Sequence, residues 1–452
     1  MLERISLAIV AALAVTAAPT IAATTYTFTK VLENGVTKRL DNGQPFNVRF
    51  ASMDQGAVIF TNGFGPADSI WMWRNGTFTK LVGTTTPVPD DSGGVFQDFD
   101  QVPISRAGVV VFGGYDATSD AGRNGLYSVP LAGGAVQRVV DNSQQVPGSG
   151  GGTMFWGHDG GVGTDFVTDG STVVFGASSN GGSTSVNGLF SASVAGVGLA
   201  AVATSQLTPC GVGNQYKPAV SDGDITFTGT GGFSYSTGLN VIFGGPITSG
   251  NCPYPFIVSS GANPPLPGEP TPQPNAPHLV FGQSYVQAGT VYFLGWDNNN
   301  SGPNNQGYFG LYTAPYTTNG NGAPTLTSIA NNLSVLPGMT TGQMNGGPYF
   351  SVTGGDIYFA ASQNGYGAVY HWNNGVIDRV IGDGDTLDGE TIATVGLATH
   401  VFQDGQIVSS DPVTPYAASD GTVAIRVNFT DFNSALFVLG DSDRIFENGF
   451  EP

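Results

Sequence analysis

One local cluster in this sequence has residue types and spacing that could do chemistry. Carboxylates stand at Asp383, Asp385, Asp388 and Glu390 on a glycine-rich stretch. Oxygen ligands at alternate and near positions suit a hard cation such as Ca²⁺, although the last glutamate comes too early for an EF-hand. The stretch also aligns with turns elsewhere, where Asp141 stands near the position of Asp383. Two interpretations stay open: an ordinary acidic turn, which we favour, and a calcium site.

No other pattern of catalytic residues stands out. Nucleophilic catalysis needs a base within reach and a partner that orients it. The chain has no Gly-x-Ser-x-Gly elbow, phosphate loop or dinucleotide fingerprint, and its glycines belong to turns. The histidines fall in different repeat units and lack the spacing typical of metal ligands, such as His-x-x-x-His. We therefore interpret each as a surface or structural residue: His158, His278, His371 and His400. We therefore predict no catalytic residues and no cofactor, calcium apart.

The chain contains two cysteines, Cys210 and Cys252. In an oxidising compartment a single pair is typical of one disulfide, and the alternative is two buried free thiols. A bridge over this separation would stabilise the fold by roughly 3 to 4 kcal/mol in the chain-entropy model.

The start of the sequence is typical of an export signal. Arg4 precedes an apolar run from Ile5 to Ala18, which is too short to span a bilayer. We predict a signal peptide over residues 1–23 and a single domain over 24–452. No later apolar run is long enough for a membrane span, so we expect a secreted protein that is extracellular, periplasmic or held at the cell surface.

Composition narrows the fold class and the partners. The chain has 68 Gly, 28 Phe and 16 Tyr with only 10% charged residues, which is typical of turns and strands. Its 33 acidic and 14 basic residues give a net charge of −19. Such a charge repels phosphate backbones, so nucleic acid is excluded as a partner. We expect an acidic, soluble monomer with a glycan or protein ligand.

A repeated strand organises the sequence. Each copy follows a glycine turn and ends on an aromatic or aliphatic anchor, and the anchors recur every 52 to 66 residues: Phe60, Phe112, Phe175, Phe227, Phe293, Phe359 and Ile425. Three further strands surround each anchor strand, including the motif Gly125-Leu126-Tyr127. Four strands per unit are typical of a propeller blade.

Turn residues and the chain ends complete the prediction. Asn75-Gly76, Asn374-Gly375 and Asn34-Gly35 each predict a two-residue hairpin. The chain begins and ends in mid-unit, so the N- and C-terminal strands could share one blade. We predict an all-β fold, a β-propeller of seven four-stranded blades; the alternatives are paired β-sandwiches or a β-helix. Nine prolines predict an extended surface loop without strand or helix at 252–277.

The region from Gly125 to Phe155, with Gly-Leu-Tyr, Val-Val-Asp, Pro-Gly and Thr-Met-Phe, resembles the repeats of exported bacterial choice-of-anchor proteins. The motif Asp-Gly-x-Val/Ile-x-Phe, which leads into an anchor strand, is similar to the repeats of TolB-type propellers. The end of the chain, Ile445-Phe446-Glu447-Asn448-Gly449-Phe450-Glu451, resembles a tag on some Gram-negative secreted proteins. The resemblance implies a propeller fold and leaves the function of the protein open. The chain differs from the choice-of-anchor proteins in lacking their hydrophobic C-terminal anchor.

Two functions remain for comparison. The first is an exported, non-enzymatic propeller that acts as a binding or surface interaction module, with a glycan or protein as ligand. The alternative is a secreted propeller hydrolase or lyase that acts on polysaccharide. Carboxylates or a His/Tyr/Arg cluster converging at a channel mouth would favour the enzyme. Tryptophans such as Trp71 and Trp73 could stack on sugars, but their strand pattern favours core packing.

Overall fold

A computed structural model describes most of the predicted domain. The described residues are 25–63, 68–91, 93–99, 102–116, 122–155, 166–205, 218–230, 240–247, 254, 256–259, 279–297, 309–316, 324–339, 344–363, 366–399, 402–403, 406–407 and 416–441. Within these ranges every regular element is a β-strand. In the same ranges there is no helix with the length and apolar character needed to cross a membrane. The predicted signal peptide, 1–23, lies outside the described residues.

The strands form seven four-stranded antiparallel blades, which together make a seven-bladed β-propeller. Strand β1 (Tyr26–Glu33) belongs to the seventh blade, and each of the first two blades holds four consecutive strands. Blade one holds β2 (Val48–Asp54), β3 (Ala57–Asn62), β4 (Ser69–Arg74) and β5 (Thr77–Gly83). Blade two holds β6 (Ile104–Arg106), β7 (Val109–Tyr115), β8 (Asn124–Pro130) and β9 (Gln137–Asp141).

The next four blades repeat this order, and in blade three two short strands together form the first position. Blade three holds β10 (Thr153–Phe155), β11 (Phe166–Thr168), β12 (Thr172–Asn180), β13 (Asn187–Ser193) and β14 (Ala200–Thr204). Blade four holds β15 (Ala219–Ser221), β16 (Asp224–Thr230), β17 (Asn240–Pro246) and β18 (Phe256–Ser259). Blade five holds β19 (Leu279–Gln287), β20 (Thr290–Asp297), β21 (Phe309–Pro315) and β22 (Thr327–Asn331). Blade six holds β23 (Asn345–Thr353), β24 (Asp356–Gln363), β25 (Tyr366–Asn373) and β26 (Val376–Gly382).

The seventh blade contains strands from both ends of the domain. Its remaining elements are β27 (Thr386–Leu387), β28 (Glu390–Leu397), β29 (Phe402–Gln403), β30 (Gln406–Ile407), β31 (Ala418–Ser419), β32 (Thr422–Phe429) and β33 (Ser434–Asp441). Strands β28 and β31 share the first position, β27 forms a small hairpin with β28, and β29 pairs only with β30 among the described strands. Strand β1 pairs with β33 from Tyr26↔Asp441 to Glu33↔Ala435, so the predicted closure by both termini is confirmed.

One detail of the predicted closure is wrong. The residues after Asn34-Gly35 do not form the second strand of a hairpin, and they fold as a turn with a single bridge between Lys38 and Pro45. Asn34 instead joins two blades. Its side-chain amide donates to Ser434 Oγ over 2.8 Å, and its Oδ1 accepts from the Val48 N–H over 2.9 Å. The asparagine therefore links blade seven to blade one.

The seven predicted anchors all lie in the second strand of a blade, as predicted. Each anchor is directly opposite a bulky residue of the third strand, and the seven pairs are Phe60↔Trp71, Phe112↔Tyr127, Phe175↔Phe190, Phe227↔Phe243, Phe293↔Tyr312, Phe359↔Tyr370 and Ile425↔Phe437. Most of these side chains are fully buried. Burying one such ring stabilises the fold by about 2 to 3 kcal/mol, so this repeated pair contributes substantially to the apolar packing of each blade.

The turns between first and second strands show why glycine recurs before the anchor strands. In blade one, Gln55 has φ 49° and Gly56 has φ 69°, and five other blades have the same pair of positive φ angles. Two positive φ angles define the tight turn whose twist matches a hairpin, and glycine adopts the second without strain. The predicted Asn75-Gly76 and Asn374-Gly375 hairpins between third and fourth strands are confirmed, with φ of 48° and 79° in the first of them.

The predicted loop at 252–277 needs a correction. Residues Phe256–Ser259 form β18, the outer strand of blade four, and pair with β17. Proline removes a backbone donor, but an edge strand needs donors along one side only, so flanking prolines do not prevent this pairing. Residues 260–277 lie outside the described residues.

Candidate functional site on the upper face

The propeller has two faces with different connections. We call the upper face the one that carries the connections from second to third strands and from fourth to first strands. The lower face carries the connections from first to second strands and from third to fourth strands. The first strands line the axis, because β2 contacts β6 and β31, and β11 contacts β6 and β15.

The axis itself is filled by Tyr416. This side chain is fully buried, and its hydroxyl donates to the Thr168 carbonyl of blade three over 3.3 Å. The Arg106 guanidinium lies 4.3 Å from the centre of the Tyr416 ring, and Tyr285 packs edge-on at 6.5 Å. Burial raises the pKa of Tyr416 above its ordinary range. Tyr416 is therefore protonated, shielded from bulk solvent and in contact with several blades across the axis. These properties indicate a structural role.

Polar groups near the axis bond neighbouring blades to each other on the lower face. Asp54 of blade one accepts from Ser105 Oγ over 2.8 Å and from the Gly108 N–H over 2.9 Å, both in blade two. Ser419 accepts from the Gln55 N–H over 3.1 Å. Hydrogen bonds of this kind, made by buried groups, hold the blade order and leave the named oxygens committed to the scaffold.

The acidic stretch proves to be one copy of a repeated turn at the upper face. In four blades the residue that follows the fourth strand bonds twice to the third strand of its own blade, and in blade three Ser205 does so with Asn187. Asn142 does so with Asn124, Asn332 with Phe309, and Asp383 with Gly367, each through its backbone N–H and its side-chain oxygen. Asp383 is therefore equivalent to Asn142. Asp141, which the sequence places near the position of Asp383, is equivalent to Gly382, one residue earlier.

The environment of Asp383 differs from that of its amide counterparts in charge. The Gly367 N–H donates to Asp383 Oδ2 over 2.6 Å, and burial raises the pKa of this carboxyl to about 6 despite that bond. An asparagine can accept the same bond without any charge to desolvate. The partly buried carboxylate thus lowers stability at neutral pH, a cost that the uncharged amides avoid.

The other three acidic residues each have their own local role. Asp385 pairs with Arg379 through two bonds of 2.8 and 3.1 Å and accepts from the Gly382 N–H over 2.8 Å. Asp388, at φ 57°, forms the turn of the β27–β28 hairpin with Gly389 and forms an ion pair with Lys30.

Glu390 is the first residue of strand β28. Its negative charge interacts with that of Asp431, which lies in the connection between β32 and β33. Within the described ranges, no three His, Cys, Asp or Glu side chains come close enough together to hold a metal ion. The four carboxylates are thus divided among separate partners, and the calcium site stays a prediction.

Exposed apolar side chains are concentrated on the upper face. Eight large apolar side chains are exposed among the described residues, and six of them lie on upper-face connections or at the upper end of a strand: Val36, Leu40, Leu333, Val335, Tyr366 and Phe432. In blade order these occupy the junction of blades five and six, then blades six and seven, and the junction of blades seven and one. Neighbouring blades therefore present a series of apolar side chains, which we call the apolar arc.

Sequence reasoning missed a buried hydrogen-bonded chain between blades six and seven. His371 Nε2 lies 3.1 Å from Asp356 Oδ1, and its Nδ1 lies 3.0 Å from the hydroxyl of Tyr26. The imidazole also stacks on Tyr358 at 4.6 Å. Because Tyr26 is the first residue of β1, these hydrogen bonds attach the N-terminal strand to blade six. His371 is thus structural, as predicted, and only the pairing of β1 with β33 could have revealed its partner.

Several predicted site residues fall outside the described ranges. Cys210 and Cys252 are among them, so the disulfide stays a prediction, and so are His158, His278 and His400. Trp71 and Trp73 are buried, which confirms core packing for these two and removes them as sugar-stacking candidates.

Comparison with known proteins gives no family and only distant structural similarity. No protein-family model matches the chain, and no curated protein matches it. Among solved structures, a puromycin-hydrolyzing peptidase of Mycobacterium tuberculosis aligns at 11% identity and a TM-score of 0.49, over 94% of this chain and 56% of that one. The chain thus spans about half the length of that peptidase.

Two structures of single domains also align. The propeller domain of the trilobed protease of Pyrococcus furiosus matches at 10% identity and a TM-score of 0.33, over 74% of this chain and 98% of that one. The WD40 domain of Toxoplasma gondii coronin matches at 9% identity and a TM-score of 0.37, over 93% and 87%. Alignments with identities and TM-scores this low carry no argument about family or function.

Proposed function

We propose that this protein is an exported, non-enzymatic propeller that binds a glycan or protein ligand with its upper face. The observation that carries the proposal is the apolar arc. Single exposed apolar residues are ordinary on protein surfaces, but six on adjacent connections and strand ends of one face indicate an interaction site. The opposite, lower face has two such residues among those described, Val197 and Val376.

The filled axis supports binding over catalysis at the centre of the propeller. An active site at the channel mouth needs a cavity with convergent acid and base groups. Here Tyr416 occupies the axis, and Asp54 near it is engaged by hydrogen bonds to the neighbouring blade. The alternative of a hydrolase or lyase for polysaccharide has no comparable observation in its favour.

A binding and turnover screen tests the proposal. The full chain is screened on arrays of glycans and of extracellular proteins, and retained glycans are checked for cleavage. We expect retention without product, and we expect Leu40→Ser with Val335→Ser to reduce it at least fivefold. Val376→Ser on the lower face is the matched control and should leave retention unchanged. Release of cleaved product, or no retained ligand of either class, would overturn the proposal.

A further inference from the structure

Phe432 is the most exposed apolar side chain of the apolar arc. It is 98% exposed and has a φ of 73°, a conformation that bulky residues rarely adopt. The turn that holds it is well bonded: the Asn433 N–H donates to Asp431 Oδ1 over 3.1 Å, and the Phe432 N–H donates to the Phe429 carbonyl over 3.1 Å. The backbone therefore holds an aromatic ring out in solvent in an unfavourable conformation, which points to a role for the ring itself.

Excess negative charge surrounds the base of this turn. The Thr430 N–H donates to the Thr391 carbonyl over 3.0 Å, so Asp431 and Glu390 are next to two residues that are hydrogen-bonded to each other. Burial, followed by repulsion from Asp431 and Glu33, raises the pKa of Glu390. Lys30 is the basic side chain of this corner, and it pairs with Glu33 over 3.3 Å and with Asp388. Among the described residues no ion pair joins a basic side chain to Glu390 or Asp431. Four carboxylates and one ammonium leave a local charge of −3.

We propose that this group of residues, the Phe432 corner, docks a basic segment of another polypeptide and places an arginine or lysine between the ring and the carboxylates of Glu390 and Asp431. The inference rests on the proposed function and names its partner class. A guanidinium can stack on an aromatic face and pair with carboxylates at once. Binding would also relieve the repulsion between Glu390 and Asp431.

Other occupants fit the corner less well. An acidic glycan, a nucleic acid or an anionic lipid surface would be repelled by the local charge. A neutral sugar could stack on Phe432 but would leave the carboxylate pair uncompensated. A calcium ion would use the carboxylates and gain nothing from the exposed ring. The combination of ring and carboxylates is what selects a cationic side chain.

The test uses a labelled, capped peptide in which two arginines flank a leucine, with a control peptide that carries glutamines in their place. Binding to the full chain is followed by fluorescence anisotropy at 20 and 200 mM salt. We expect the arginine peptide to bind and the glutamine peptide to bind at least tenfold more weakly. The affinity for the arginine peptide should fall with salt, because the carboxylates are near the surface.

Variants separate recognition from folding. Phe432→Asn should weaken peptide binding about tenfold while the melting temperature stays the same or rises, since asparagine tolerates positive φ better than phenylalanine. Asp431→Asn keeps one acceptor oxygen for the Asn433 N–H and loses the acceptor of the 2.8 Å bond from Asn433 Nδ2. It should weaken binding and reduce its salt dependence. Val197→Asn replaces an exposed apolar residue on the lower face and should change nothing.

Each contrary outcome has a distinct meaning. Equal binding of both peptides, no binding, or full binding by Phe432→Asn would overturn the inference. A calcium-dependent rise in melting temperature that is lost in Asp431→Asn and retained in Phe432→Asn would identify a cation site instead. If the arrays still retain a ligand that Phe432→Asn does not affect, the proposed function stands and only the Phe432 corner is wrong.

Discussion

At the residue scale, Asp383 shows how an identical backbone role can be filled by different chemistry. Asn142 and Asn332 each donate one bond to the third strand and accept one from it, as Asp383 does with Gly367. The difference is one partly buried charge, and the shared bonds to the third strand give Asp383 the same role in the turn as the two amides. A carboxylate on a glycine-rich turn is therefore weak support for a cation when a polar amide performs the same role nearby.

This equivalence predicts that Asp383→Asn stabilises the protein at neutral pH. The folded-state pKa of Asp383 is raised from 3.8 to about 6, so the folded state holds the proton more tightly than the unfolded chain. Stability from this group is present below about pH 4 and is lost as the pH rises to about 6. Because the carboxyl is partly solvated, we expect a gain of only about 1 kcal/mol at pH 7.5, which shrinks at pH 5.

Denaturant unfolding at the two pH values measures this gain. Asn142→Asp is the converse variant and should destabilise, because the Asn142 amide donates to the Gly122 carbonyl over 2.7 Å. A loss of stability in Asp383→Asn at pH 7.5 would show that the carboxylate has a partner of its own, such as a bound cation.

At the element scale, the motif Gly-Leu-Tyr has a steric cause. In blades two, three and five the glycine lies opposite the fourth strand just before a register shift. A Cβ on Gly125 would overlap the carbonyl oxygen of Val140, and one on Gly310 would overlap that of Ala330. Blade six reverses the arrangement, with Ala368 in the third strand opposite Gly382 in the fourth. The strands thus approach so closely that one of the two positions must lack a side chain.

We predict that Gly125→Ala lowers the free energy of unfolding by at least about 2 kcal/mol, because a backbone oxygen cannot move aside as a side chain can. Ala368→Gly at the equivalent position of blade six is the control. It should cost only about 1 kcal/mol, the entropic penalty of glycine within a strand. Chemical denaturation of both variants gives the comparison, and equal losses would contradict the steric explanation.

At the scale of the whole molecule, the ring is held by contacts that span the sequence. Strand β1 closes the seventh blade beside β33, the Tyr26–His371–Asp356 chain secures its beginning, and Asn34 secures its end. Tyr416 joins the seventh blade to the third across the axis. These contacts connect residues hundreds of positions apart, so they form only once the blades are in place.

Replacing Tyr416 tests the filled axis. Tyr416→Ala should cost about 3 to 5 kcal/mol, the usual range for emptying an aromatic site in a core. Tyr416→Phe keeps the ring and loses the bond to Thr168, so it should cost only about 1 kcal/mol. Thermal unfolding separates the two, and a Tyr416→Ala variant as stable as Tyr416→Phe would mean that the ring does not fill the axis.

The sequence by itself determined the repeat, the strand class and the closure. Seven anchors at regular intervals, glycine before each and mid-unit ends were sufficient, because alternating apolar strands and positive-φ turns are local properties of a chain. It also predicted the two Asn-Gly hairpins after Trp73 and Trp372. It failed at Asn34-Gly35 and at Phe256–Ser259, where pairing with another strand outweighs the local turn or proline signal.

Only the tertiary structure decided what the candidate site residues do. Whether Asp383 to Glu390 converge, whether His371 has partners, and which exposed apolar residues share a face all depend on where separate blades meet. Phe432 and Glu390 are 42 positions apart in the sequence, and the fold brings their connections together at one corner. Burial and long-range pairing set these relations, and neither is encoded in the spacing of residues along the chain.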